Sequence, residues 1–244
     1  TMGALHAGHA SLIKKAREYS DTVVVSIFIN PLQFENKDDL AKYPRTPEFD
    51  IELASQAGAT HLWLPTVDEI YPGEVQKISA GALGDIYEGV KRPGHFDGVL
   101  TVVNRLFELV KPQWAIFGEK DFQQLTLIKS MKSDVEIIGA PTIRDTDGLA
   151  LSSRNVRLSD PKAALVIYRA LLAASKEGSV DSARAVMQGV LASEAAFTRD
   201  YAEIINESNF EKAVQSDGSK RAIIAGWVNG IRLIDNMPMN GGAQ

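Results

Sequence analysis

Thr1-Met2-Gly3-Ala4-Leu5-His6-Ala7-Gly8-His9 sets two histidines around an Ala-Gly pair, directly ahead of an amphipathic stretch. A helix that begins here offers unpaired N–H groups and a partial positive charge, a setting that suits phosphate. Gly8 permits close backbone approach, and imidazoles at this place can donate to a phosphate whose charge rises in a transition state. Two loop histidines that only cap a helix explain the same residues, and a four-residue HxGH pattern leaves both readings open.

A second group of reactive side chains lies in Phe117-Gly118-Glu119-Lys120-Asp121-Phe122-Gln123-Gln124. Lys120 can hold phosphate as a point charge, while Asp121 can cap a helix or touch ribose or metal. Gln124 falls one helical turn further on. A third, Asp147 to Asn155, combines Ser152, Ser153 and Arg154 with backbone donors that can fold over a triphosphate. The fourth, Phe28 to Phe34, carries the uncharged amides Asn30 and Gln33 in an apolar setting, suited to a small molecule bearing hydroxyl and carboxylate groups. Lys91 to Phe96 (KRPGHF) is either a segment that closes over that pocket or an ordinary polar loop. Each group taken singly also reads as a solvated or capped turn.

The intervening sequence supplies the elements that position them. Ser11–Ser20 has helical apolar spacing; Thr22–Ile29 is an unbroken apolar run, as in a parallel strand covered on both faces. Helix at 48–57, strand at 61–64, a helical stripe from Val99 to Val110, strand at 114–117, helix at 122–131 and strand at 135–138 complete an alternating pattern. Strand–helix alternation predicts an α/β domain with a parallel sheet over residues 1–144. Three of the four groups then fall at the carboxyl edge of one sheet, where open α/β sheets bind ligands. After Asp145 the order changes to two alanine-rich helices (161–176 and 181–196) and strands at 201–206, 221–228 and 231–234, a smaller α+β C-terminal domain over 145–244 that would serve as a lid. Two imidazoles and a lysine, without a pair of acidic catalytic groups, point to nucleotidyl transfer and not hydrolysis.

Composition narrows the classes further. Of 244 residues, 45% are hydrophobic and 23% charged, the proportions of an ordinary globular protein. No apolar run approaches the roughly 20 residues that cross a bilayer. A net charge of -5 argues against a nucleic-acid surface, and the absence of cysteine removes disulfides, thiolate zinc sites and a cysteine nucleophile. A cytoplasmic enzyme is the default expectation.

TMGALHAGH, VVVSIFINPLQF, YPRT, EIYP, RPGHF, FGEKDFQQ, DGLALSSRN and RLIDN, in this order, resemble the pantothenate synthetase (pantoate–β-alanine ligase) family of the HxGH nucleotidyltransferase group. The resemblance covers essentially the whole chain and implies a Rossmann-like α/β amino-terminal domain with a smaller carboxyl-terminal domain. It implies condensation of D-pantoate with β-alanine, using ATP and Mg2+ and releasing AMP and pyrophosphate through a pantoyl adenylate, in a homodimer. It also implies ATP contacts from Met2, Gly3, Ala4, Leu5, His6, Ala7, Gly8 and His9, from Gly118, Glu119, Lys120 and Asp121, from Ile143, and from Leu151, Ser152, Ser153 and Arg154. His9 matches the family's proton donor, with His6 and Lys120 beside it as catalytic groups. Gln33 and Gln124 match the pantoate-binding glutamines, Gln33 also serves β-alanine, and Asn30 joins the pantoate group. Asp50 is the candidate metal ligand, although Phe49 stands where some relatives carry another acid. The resemblance further implies a strand ahead of Thr1 that this sequence does not include. Rivals are an adenylyl- or cytidylyltransferase that stops at the nucleotidyl product, a non-catalytic nucleotide-binding module, and a tRNA-synthetase fragment. The Asn30–Gln33 amides count against the first, the retained His6, His9, Lys120, Ser152, Ser153 and Arg154 against the second, and the missing basic extension against the third.

Overall fold

The computed structural model describes residues 1–34, 40, 41 and 43–239. The chain forms two compact units, Thr1–Thr142 and Ile143–Gln244.

In the first unit, helix α1 (Ala7–Arg17) leads to strand β1 (Val24–Ser26), a 3-10 turn at Pro31–Gln33, α2 (Pro47–Gln56) and β2 (His61–Trp63). β1 and β2 pair in parallel, Val24 opposite His61 and Ser26 opposite Trp63. Leu5, Ala10 and Ile13 pack with Val23, Ala54 and Ala57, so the apolar face of α1 and that of α2 close over this pair. Three short helices, α3 (Val67–Ile70), α4 (Gly81–Gly84) and α5 (Glu88–Lys91), precede the long α6 (His95–Val110). The stripe Val99, Leu100, Val102 and Val103 on α6 forms a second core with Phe28, Ile70, Tyr71, Phe96, Leu127 and Ile128. Strand β3 (Trp114–Gly118), a 3-10 turn at Glu119–Asp121, helix α7 (Phe122–Lys129) and strand β4 (Glu136–Ala140) follow. β3 and β4 pair in parallel over their whole length.

The parallel α/β architecture matches expectation, but the sheet does not. Among the described residues β1–β2 and β3–β4 are separate two-stranded ladders. The apolar run at Thr22–Ile29 forms only three residues of strand, and Val24 is 40% exposed. Hydrophobicity suits a residue to burial on both faces, but a ladder needs a partner backbone. Beyond Ser26, Ile27 N to Trp63 O (2.8 Å) continues it, and Phe28 O turns to Met2 N at 3.2 Å.

The second unit has α8 (Pro161–Ser175) and α9 (Val180–Ala192) against an antiparallel sheet of β5 (Phe197–Asn206), β6 (Lys220–Val228) and β7 (Ile231–Met239). Asp160 and Ser179 cap the helices with side-chain oxygens. Buried Ala164, Ala170, Ala174 and Ala183 leave room for the helices to approach one another and the sheet. Leu171, Met187, Ile204 and Ile224 fill the centre, each worth about 1.5–3 kcal/mol as buried apolar surface. Asn229-Gly230, both at positive φ (48° and 80°), turns β6 into β7 as a two-residue hairpin demands.

Candidate functional site

The Thr1–His9 segment is held in an unusual conformation. Met2, Gly3 and Ala4 all have positive φ (78°, 76° and 50°), which costs about 1–2 kcal/mol for each non-glycine residue. His6 caps α1: its Nδ1 accepts from Gly8 N at 3.1 Å. His9, one turn in, accepts on Nδ1 from His6 N at 3.2 Å. Because a backbone N–H donates to each Nδ1, each ring must carry its proton on Nε2. The rings lie 4.1 Å apart. Burial, then the neighbouring His6, pushes His9 down to about 3. Burial and the nearby Lys120 lower His6, with Asp121 opposing. Both are therefore neutral hydrogen-bond donors at neutral pH. In this geometry each ring keeps its Nε2–H as its hydrogen-bond donor.

Lys120 and Asp121 of the GEKD segment act electrostatically on both rings. The Lys120 ammonium lies 3.8 Å from the Asp121 carboxylate. The 3-10 turn and α7 that carry them leave the carboxyl end of β3, as expected for an α/β ligand edge.

Gln33 joins this loop to the turn that begins at Asn30. Its Nε2 reaches Met2 Sδ at 3.0 Å, its Oε1 accepts from Asn30 Nδ2 at 3.3 Å, and its backbone oxygen meets His95 Nδ1 at 3.0 Å. Burial, then Arg92, lowers His95 to about 4, so its ring too is neutral and its Nδ1–H donates. The Gln33 bond, Asp121 and Glu88 oppose this lowering.

Three expectations are revised. Asn30 is fully buried, and its amide is consumed by the protein. Nδ2 donates to Gly98 O (3.0 Å) and Gln33 Oε1, while Oδ1 accepts from Leu32 N (3.1 Å) and the Tyr71 hydroxyl (2.9 Å). With four bonds made it holds the Gln33 turn and has none left for pantoate. Asp50, the candidate metal ligand, is 1% exposed and accepts from Ala4 N (2.9 Å), Leu5 N (2.7 Å) and Thr46 Oγ (3.0 Å). Its oxygens face amide donors, and among the described residues no group of three or more His, Cys, Asp or Glu is placed to hold a metal. The donor set for a dedicated cation cage does not fit. Finally, RPGHF is not a free loop. Gly94, at φ 72°, starts α6, and His95 and Phe96 are buried in its first turn.

Gln124 is half-buried on the first turn of α7. Its neighbour Gln123 is buried and spent on Leu83 O, Ile86 O and Glu88 N. Sequence reasoning passed over Tyr71, Gly98 and Gln123. A glycine inside the α6 pattern was the available signal, because such residues usually mark close packing. A Cβ at Gly98 would lie 2.3 Å from Leu32 O.

In the second unit, Ile143 and Leu151–Arg154 flank a tight hairpin. Leu151 N donates to Ile143 O, and the Asp145 carboxylate accepts from Asp147 N and Leu149 N. Arg144 binds Asp235 through two bonds (2.6 and 3.0 Å) and Gly148 O through another, and its guanidinium lies over Tyr168. Ser152 Oγ accepts from Arg154 N. Thus RLIDN in β7 anchors the segment that ends in SSRN.

The Pantoate-beta-alanine ligase family matches residues 1–238. The chain belongs to the pantoate–β-alanine ligase family. A pantothenate synthetase of Acidothermus cellulolyticus is 46% identical over 98% of this chain and 84% of its own length. One of Thermus thermophilus is 46% identical over 97% and 90%. The crystal structure of pantothenate synthetase from Thermus thermophilus superposes with a TM-score of 0.91 at 43% identity, covering 97% of this chain and 90% of that one. A ligase of the same family from Francisella tularensis, solved in complex with Beta-gamma ATP and Beta-alanine, gives a TM-score of 0.78 at 36% identity over 97% and 86%. The chain is therefore an enzyme of the pantoate–β-alanine ligase family, with the mixed α/β fold of its relatives.

Proposed function

We propose that the chain makes pantothenate through a pantoyl adenylate, with ATP along the Thr1–His9 loop and pantoate against Gln33 and Gln124. A pantoate carboxylate oxygen attacks the α-phosphorus as the bond to pyrophosphate breaks. The β-alanine amine then attacks the acyl carbon, losing a proton as the bond to AMP breaks. His6 and His9 donate from Nε2–H to phosphate oxygens as their charge rises, and Lys120 supplies a point charge. Such donors are worth on the order of 100- to 1,000-fold each. Gly118, Glu119, Asp121, Ile143, Leu151, Ser152, Ser153 and Arg154 enter as ATP contacts, and Gln33 as a β-alanine contact, through the family resemblance. Mg2+ enters as the companion of the triphosphate, with no protein cage and no step assigned to it. A homodimer in the cytoplasm, acting on small molecules and not on nucleic acid or membrane, belongs to the same reading. Among the described residues no helix is long and apolar enough to cross a membrane.

One observation carries this reading: two neutral imidazoles, fixed as Nε2–H donors at a helix N-terminus beside Lys120, adjoin Gln33 through Met2. That arrangement supports neighbouring seats for the two substrates of the first step. The ATP and β-alanine bound to the Francisella relative support the same assignment of substrates. Isotope exchange between pyrophosphate and ATP tests it. The expected exchange requires pantoate and proceeds without β-alanine; exchange that needs β-alanine, or needs no pantoate, overturns the proposed order.

A further inference from the structure

A carboxylate buried beneath a nucleotide loop calls for a physical reason, because an unpaired charge there is expensive. Successive backbone amides in a turn converge into a concavity that binds an anion. Met2, Gly3 and Ala4 form such a run, and the anion that meets the Ala4 and Leu5 amides is the side chain of Asp50, 46 and 45 residues away. Thr46 donates a third bond to the same carboxylate, and Asp50 N returns one to Thr46 O at 2.8 Å, which fixes the start of α2 under the loop. There is no slack at this point. A Cβ at Gly3 would stand 3.0 Å from Asp50 Oδ2 and 3.1 Å from Ile27 Cγ2. Leu5 is buried immediately before His6, so the tethered amides sit directly ahead of the residue that caps α1.

We propose that Asp50 is a positioning residue for the adenylation step: its carboxylate binds the Ala4 and Leu5 amides and so holds His6 and His9 where they meet the phosphates. The inference rests on the reading of Thr1–His9 as the ATP loop. Release of the tether allows Met2 and Ala4 to leave their strained conformation and the cap to shift. A shift of about 1 Å in a positioned group can cost on the order of 100-fold in rate. The larger effect falls on nucleotidyl transfer, because Gln33, although it touches Met2, keeps its bonds to Asn30 and His95 when the loop is released.

Asp50→Asn, in the full chain, is the main test, with Thr46→Val as a milder variant that removes only the hydroxyl bond. Three readouts are needed: amide hydrogen exchange over residues 1–10, pantoate-dependent pyrophosphate exchange across a Mg2+ titration, and aminolysis of supplied pantoyl adenylate by β-alanine. Expected for Asp50→Asn are faster amide exchange in the loop, pyrophosphate exchange lower by about 10- to 100-fold, and aminolysis within about twofold of the parent. The Mg2+ midpoint should not move. Thr46→Val should change the first two in the same direction by less, and it decides the matter if Asp50→Asn does not fold. Unchanged loop protection, equal losses in both half-reactions, or recovery at raised Mg2+ would each overturn the proposal, the last by returning Asp50 to the metal. If the parent enzyme shows no pantoate-dependent exchange, the functional reading fails, while loop protection still decides whether Asp50 tethers the loop.

Discussion

Gly98→Ala offers a test in which two physical effects have opposite signs. Gly98 lies in the first half of α6, where alanine is normally favoured over glycine by about 1 kcal/mol. Helix propensity alone therefore makes the change stabilising. The structure makes it destabilising. The new methyl would meet Leu32 O at 2.3 Å, Leu32 C at 2.5 Å and Gln33 N at 2.8 Å. Ordinary contact for such a carbon starts at 3.4 Å, so in a close-packed interior the Pro31–Gln33 turn must retreat by about 1 Å. That retreat strains the bonds from Asn30 Nδ2 to Gly98 O and from His95 Nδ1 to Gln33 O, which together seat Gln33. Overpacking of this kind costs about 1–3 kcal/mol, enough to reverse the propensity gain. A 1 Å displacement of a substrate-positioning group costs on the order of 100-fold in kcat/KM. The assay is urea denaturation together with steady-state kinetics in which pantoate is varied at saturating ATP. Lower stability, a kcat/KM for pantoate reduced by one to two orders of magnitude and an ATP affinity within about twofold of the parent are expected. A variant that is more stable and turns over pantoate normally would refute the claim that contact between α6 and the turn positions Gln33.

Tyr71→Phe removes one of two donors to the buried Asn30 Oδ1 and should cost about 1–3 kcal/mol, read by denaturant titration, with weaker pantoate binding in calorimetry. Asp235→Ala strands Arg144 in a site where the pair is 18% and 5% exposed; a loss of about 3–5 kcal/mol is expected in thermal or urea unfolding. Acid should weaken the fold. His9 and His95 fall from 6.5 to about 3 and about 4, so below pH 6.5 the unfolded chain binds protons that the folded chain refuses. Their contribution is complete above pH 6.5 and is lost as pH falls toward 4, by up to about 1.4 kcal/mol per pH unit for each group. His95→Gln should flatten that slope by about one proton in urea titrations between pH 7.5 and 5; an unchanged slope would mean that His95 is not held neutral.

Local sequence was enough for much of this protein. Helical spacing located α1, α2, α6 and both alanine-rich helices within a few residues. These features depend on neighbours a few positions away, which a sequence displays directly. The ordered set of motifs also carried the family, because each records a backbone shape together with its reactive side chain. Tertiary structure alone decided the rest. Asp50 looked like a metal ligand and became a tether because its partners, Ala4 and Leu5, lie 46 and 45 residues away. Asn30 looked like a substrate amide and became internal because Gly98, 68 residues on, supplies its acceptor. The apolar Thr22–Ile29 run could not disclose that only three of its residues would find a ladder partner. A polar side chain shows its chemistry in the sequence; whether that chemistry is spent inside the protein or left for a ligand depends on which distant backbone groups folding brings to it.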